Sequence, residues 1–115
     1  GTPIEAIAYE NETISVPFDF IDRGDFYALK IEGESMIEAG IMDGDTAIIK
    51  RAQVAENGQI VVALVDDSEA TLKIWQKKKD EVWLVPCNKD YEIRKLPLSR
   101  VKIQGVLSGI IRRYH

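Results

Sequence analysis

The chain has 115 residues, which fits a single domain over residues 1–115, and 45% of them are hydrophobic, enough for a modest core. A formal net charge of −4 argues against nucleic-acid binding by this chain alone, because phosphate contacts need a basic face; ordinary solubility is the simpler reading of the acidity. One cysteine, Cys87, excludes an internal disulfide and suits a reducing cytosol, and no apolar run approaches the roughly 18 residues of a membrane span, so a cytoplasmic protein is expected.

In chain order, residues 1–12 read as a polar, irregular lead-in with room for a short strand, ending on the turn signals Asn11 and Glu12. Thr13-Ile14-Ser15-Val16-Pro17 alternates, and Pro17 marks an edge strand or a strand end. A loop over 18–24 closes on Asp22-Arg23-Gly24. Residues 26–32 form a strand with Tyr27, Leu29 and Ile31 on one face. Residues 35–39 make one helical turn stopped by Gly40, and Asp43-Gly44-Asp45 turns the chain. A strand over 46–50 follows, and Glu56-Asn57-Gly58 gives a hairpin-turn signal between apolar runs. The near-continuous apolar run 59–65 reads as a strand buried on both faces.

Asp66-Asp67-Ser68 is a turn, 69–76 the next strand, and Lys77-Lys78-Lys79-Asp80 its polar turn. Residues 81–85 pair back and end at Pro86, Asn88-Lys89-Asp90 turns again, and 91–96 give a short strand ended by Pro97. The last strand, 101–113, is long and interrupted by Gly105 and Gly109, which suggests bends. No long stretch has a helical period. The pattern predicts an all-β fold of small, bent sheets in a sandwich or barrel, with one short helical turn.

The chemistry concentrates at Gly33-Glu34-Ser35, where a glycine turn presents a hydroxyl after a strand. Serine alone is a poor nucleophile and needs a base. The one histidine is the last residue, His115, so the candidate base is Lys73 in Glu69-Ala70-Thr71-Leu72-Lys73. Alternation puts Thr71, Lys73 and Trp75 on one face of the strand. Burial there would disfavour the ammonium and let a neutral amine take the serine proton. From spacing alone, the commoner reading is a lysine lying over Trp75 with its head in water, and a Ser35 that caps a helical turn. Met36 and Cys87 read as packing residues. Asp43 and Asp45 suit a turn better than a metal, Lys77 to Lys79 a solvated hairpin tip, and Arg112 and Arg113 a solvated terminus. No cofactor is called for.

Gly33-Glu34-Ser35-Met36-Ile37-Glu38-Ala39-Gly40-Ile41-Met42-Asp43-Gly44-Asp45, then Asn57-Gly58-Gln59-Ile60-Val61-Val62-Ala63, Glu69-Ala70-Thr71-Leu72-Lys73 and Gly105-Val106-Leu107-Ser108-Gly109-Ile110-Ile111-Arg112 together resemble the LexA-type Ser-Lys self-cleaving peptidases. The likeness covers nearly the whole chain. It implies a LexA-like or signal-peptidase-like fold with Ser35 as nucleophile and Lys73 as general base. The N–H groups of Glu34 and Ser35 would form the oxyanion hole, and Thr71 would hold the Lys73 amine. Gly1-Thr2-Pro3-Ile4-Glu5-Ala6 resembles the segment that follows the family's cut Ala-Gly bond, so the cut would fall immediately upstream of Gly1. The resemblance further implies a homodimer through the C-terminal strand, where Ile110 and Ile111 would offer an exposed edge. A RecA-type recombinase filament would be the co-activator, and operator DNA would be bound only by an N-terminal domain absent from this chain. The reading is the catalytic and dimerising part of an SOS-response repressor. A UmuD-type polymerase subunit, a phage-type repressor and a non-catalytic dimerisation module are the alternatives.

Overall fold

The computed structural model describes residues 6–8 and 25–114. The expected strand over 13–17, the loop 18–24, Gly1 and His115 lie outside them. The described residues form eight strands: β1 (Ala6–Ala8), β2 (Phe26–Ile31), β3 (Thr46–Lys50), β4 (Ile60–Val65), β5 (Glu69–Lys78), β6 (Glu81–Val85), β7 (Arg94–Pro97) and β8 (Val101–Ile111). They join in one sheet of order β1-β2-β3-β8-β4-β5-β6-β7, with every pairing antiparallel. Two 3-10 turns, Ile37–Ala39 and Leu98–Arg100, supply the helical content among the described residues. The fold is all-β, as the turn spacing predicts. The sheet curls so far that β1 approaches β5, although β2, β3, β8 and β4 lie between them. Among the described residues no helix is long and apolar enough to cross a membrane.

The apolar run of β4 explains the centre of the fold. Val62 packs into one core with Leu29, Ile31, Met36, Ile41, Ile49 and Leu72. Its neighbours Val61, Ala63 and Val65 pack into another with Trp75, Val82, Leu84, Leu96 and Ile103. Successive side chains of a strand point to opposite faces, so β4 is buried on both, as expected. Tyr27, Leu29 and Ile31 share the first core, as their alternation predicts.

β8 joins the two halves. Its first part pairs with β4, from Val65↔Val101 to Val61↔Val106, and its second part pairs with β3, from Lys50↔Val106 to Thr46↔Ile111. The register shifts once in each ladder, leaving Gln104 and Ser108 unmatched beside Gly105 and Gly109. Such bulges bend a strand, which is the role the two glycines suggest in sequence. A Cβ on Gly105 would run into Ile49 Cγ2 and sit 2.7 Å from the Lys50 carbonyl oxygen, so only glycine permits this approach. The C-terminal strand is therefore not a simple sheet edge. Among the described residues its first half pairs with β4, its second half with β3, and Val106 with both.

Three further expectations change. Asn57-Gly58 turns, with Gly58 at φ 95°, but it does not link paired strands, because β8 lies between β3 and β4. Instead Asn57 extends the β5 ladder, its Oδ1 accepting the Lys77 N–H at 2.7 Å. β5 runs on through Lys78, so the tip is Lys79-Asp80, with Lys79 at φ 58°. β7 begins only at Arg94, not at residue 91. The three-residue β4–β5 turn places Asp66 and Asp67 at φ 52° and 57°, and the Ser68 N–H closes it on the Val65 carbonyl at 3.0 Å.

Candidate active site

The loop between β2 and β3 carries the serine. Gly33 takes a left-handed φ of 95°, and its N–H donates to Asp43 Oδ1 at 2.8 Å, closing the loop on itself. Met36 and Ile41 are buried and anchor the loop in the first core. Between them lies the 3-10 turn, ended by Gly40 in the left-handed region, whose N–H returns to the Ile37 carbonyl at 2.9 Å. The residue capping this turn is Met36, without a side-chain cap, so Ser35 is not the helix cap that composition favours. Ser35 itself is only 2% exposed.

β5 brings the lysine. Lys73 is 4% exposed, so its head does not reach water over Trp75. Its Nζ donates to Ser35 Oγ at 2.8 Å, to Thr71 Oγ1 at 2.6 Å and to the Leu72 carbonyl at 3.2 Å. Thr71 shares the strand face with Lys73, as alternation predicts, and is also buried. Trp75 lies further along in the second core. Burial as such disfavours an ammonium, and the acceptors around Nζ favour one. Once neutral, it can accept the Ser35 proton across the same 2.8 Å contact. An amine and a hydroxyl so placed are the parts of a nucleophile–base pair.

A second loop, following β6, backs the serine and was legible in sequence only as a turn. The Cys87 N–H donates to the Ser35 carbonyl at 2.8 Å, and the Glu38 N–H donates to the Cys87 carbonyl at 2.8 Å. Asn88, 8% exposed, donates from Nδ2 to the Glu34 carbonyl at 2.8 Å and accepts the Asp90 N–H on Oδ1 at 2.9 Å. The Lys89 N–H donates to Glu38 Oε2 at 2.9 Å. Cys87 is half-buried against the first core, the packing role its sequence suggests. Burial pushes its thiol up, with Glu38 adding and the charge of Lys73 opposing.

Asp45 bonds to backbone at its turn, as expected, whereas Arg112 departs from expectation. Asp45 is 1% exposed and accepts the Met42 N–H at 2.8 Å. Arg112 is not a solvated end: its Nε and one Nη donate to the two Asp45 oxygens at 2.7 Å each, and it also reaches the Gly40 carbonyl at 2.8 Å. Hydrogen bonding to Arg112 holds the Asp45 carboxyl below the usual carboxylate range, against the opposing effect of burial. The end of β8 is thereby tied to the end of the serine loop.

A family model described as Peptidase S24-like matches residues 1–108. The chain is 53% identical to the LexA repressor of Gluconacetobacter diazotrophicus, over 99% of its own length and 45% of the relative's. It is 53% identical to the LexA repressor of Paramagnetospirillum magneticum, over 99% of its length and 48% of the relative's. With the LexA repressor of Granulibacter bethesdensis it shares 51% identity, over 99% and 47%. The chain spans about half the length of the curated relatives it matches.

Proposed function

The chain belongs to the S24-like peptidase family, and from that premise we propose that it is the self-cleaving, dimerising part of a LexA-like repressor, working through Ser35 and Lys73. The observation that carries this reading is the 2.8 Å contact between the buried Lys73 Nζ and Ser35 Oγ.

Neutral Lys73 takes the Ser35 proton as Oγ attacks the carbonyl carbon of an alanine immediately before Gly1, in the same chain. The N–H groups of Glu34 and Ser35 stabilise the oxyanion that forms. Collapse of the tetrahedral species breaks the Ala-Gly bond, and Lys73 returns the proton to the departing Gly1 amine. Water, deprotonated by the same lysine, then hydrolyses the acyl ester. Thr71 Oγ1, at 2.6 Å, fixes the amine's direction. Enzyme and substrate are one molecule, so the effective concentration is high.

The names of the relatives favour a repressor over a polymerase subunit. Cleavage would part the DNA-binding portion from the dimer contact and so lower operator affinity. Among the described residues β8 past Val106 pairs with β3 alone, which supports a homodimer contact there, since an unpaired strand edge invites a second chain. A RecA-type filament is the co-activator implied by the resemblance.

The test is self-cleavage of a precursor extended upstream through its native residues, followed from neutral to alkaline pH with sequencing of the product's N-terminus. Cleavage that rises with pH, starts the product at Gly1 and vanishes in Ser35→Ala and Lys73→Ala supports the mechanism. A precursor that stays intact at alkaline pH overturns it and leaves a dimerisation module.

A further inference from the structure

The serine loop is gripped from one side by residues that take no part in the chemistry just described. Asn88 Nδ2 donates to the Glu34 carbonyl and the Cys87 N–H donates to the Ser35 carbonyl, each at 2.8 Å. No described peptide bond is cis. In a trans peptide the C=O and the following N–H point in opposite directions. Holding the Glu34 carbonyl therefore fixes the direction of the Ser35 N–H, and holding the Ser35 carbonyl fixes that of the Met36 N–H. Both N–H groups are turned away from the Cys87–Asn88 side.

We infer that Asn88 is a positioning residue for self-cleavage, setting the direction of the Ser35 N–H by clamping the Glu34 carbonyl. This rests on the Ser35–Lys73 reading above. An oxyanion donor is effective only when aimed at the place where charge develops, and the Ser35 N–H sits on the nucleophile's own residue. Among the described residues the Glu34 carbonyl has one other partner, the Ile37 N–H at 3.3 Å, a longer contact from within the same loop. Asn88 supplies the shorter and external restraint. Its own amide is held at both ends, because Oδ1 accepts the Asp90 N–H at 2.9 Å, and it is 8% exposed. That arrangement requires a side chain with one donor and one acceptor. Aspartate would keep the bond from Asp90 but turn an acceptor toward the Glu34 carbonyl, a near-isosteric change aimed at the one contact.

The precursor extended upstream is compared as wild type, Asn88→Asp, Asn88→Ala and Lys73→Ala, and first-order cleavage rates are read from neutral to alkaline pH. Loss of a whole oxyanion donor costs about 10²–10³-fold in rate. Misdirecting one should lower the plateau rate by about 10- to 100-fold on the same scale, with the midpoint of the pH profile unchanged. A lesion of general packing or of Lys73 would shift that midpoint as well. A second readout needs no activity: in precursors carrying Lys73→Ala, the NMR amide shift of Ser35 should move when Asn88→Asp is added. Wild-type rates in both Asn88 variants, a moved midpoint with an unchanged plateau, or a Ser35 amide indifferent to Asn88→Asp would each overturn the inference. If Asn88→Ala does not fold, Asn88→Asp carries the same test. If the wild-type precursor does not cleave at all, the Ser-Lys reading fails separately, and the amide measurement still decides whether Asn88 orients the Ser35 peptide.

Discussion

Two lysines of one strand meet opposite fates. Lys73, midway along β5, is 4% exposed and bonded to Ser35, Thr71 and the Leu72 carbonyl. Lys78, at the end of β5, is exposed, its ammonium 4.5 Å from the centre of the Trp83 ring, with Lys95 on the same ring at 4.2 Å. Residue type and strand are the same, so the difference lies in what stands beside each. Lys73 pairs with Val61 of the doubly buried β4, and the serine loop meets its head. Lys78 lies past the β4 ladder, which ends at Ile60↔Ile74, and pairs only with Glu81 of β6. Each lysine's surroundings are set by its place in the sheet: one head is buried against the serine loop, and the other stands on an exposed ring.

The largest effect should come from the buried lysine. Lys73→Ala and Ser35→Ala should each slow precursor self-cleavage by at least about 10³-fold, the scale of a lost general base or nucleophile. Lys73→Arg sharpens the point: it keeps the charge but cannot deprotonate near neutral pH, so it should be as inactive as the alanine variant. A gel time course at mildly alkaline pH reads all three. Substantial cleavage by Lys73→Arg would show that charge, not base chemistry, is what the site needs.

β8 joins the two settings, because it pairs with β3, which follows the serine loop, and with β4, the neighbour of the lysine strand. Gly105→Ala would drive its Cβ into Ile49 and against the Lys50 carbonyl, and a backbone oxygen cannot rotate away as a side-chain end can. Overpacking of this kind costs about 2 kcal/mol, and denaturant unfolding should show it. Because the strain falls between the two halves of the site, cleavage should slow as well. An unfolding midpoint and rate equal to wild type would mean that the bulge relaxes freely.

The buried acid Asp45 tests the same contrast with opposite charge. Arg112 depresses its folded-state pKa below the unfolded value of about 3.9. Its contribution to stability is therefore full above that unfolded value and is lost as pH falls through the depressed one. Asp45→Asn should be clearly less stable than wild type near neutral pH, and the gap should close on acidification below about pH 4. Asp66 pairs with Arg100 in the open, both side chains nearly half exposed. Asp66→Asn should change thermal unfolding little at any pH, because solvent and salt screen such a pair.

Much of this architecture is legible in local pattern. The alternation of Tyr27, Leu29 and Ile31, the apolar run of β4 and the Asp66-Asp67 turn each report a neighbour one or two residues away, and a periodic pattern encodes that relation directly. That Ser35 and Lys73 lie together can be anticipated, because serine needs a base and the lone histidine is the last residue. Asn88 and Arg112 were not reachable. Asn88 looks like any turn asparagine, yet its partner Glu34 lies 54 positions away. Arg112 looks like a frayed terminus, yet it reaches Gly40 across 72 positions. The β8 crossover was hidden for the same reason: two glycines announce bends but not which strands the bent segment joins.

The smallest effect should come from the exposed lysine, which makes Lys78→Ala the control for the whole comparison. It removes one of two cations stacked on Trp83, and Lys95 remains over the ring. The Trp83 indole N–H stays bonded to Glu81 at 2.6 Å, so the ring keeps its orientation. A cation–π contact at an exposed site is worth about 0.5 kcal/mol, and half of a duplicated arrangement should be worth no more. Unfolding of Lys78→Ala should therefore shift by about 0.5 kcal/mol or less. Precursor cleavage should stay within about twofold of wild type, because the residue lies beyond the β4 ladder and outside the Ser35 contacts. A large loss of cleavage with unchanged stability would mean that the far end of β5 communicates with the site, and the two lysines would then belong to one functional unit.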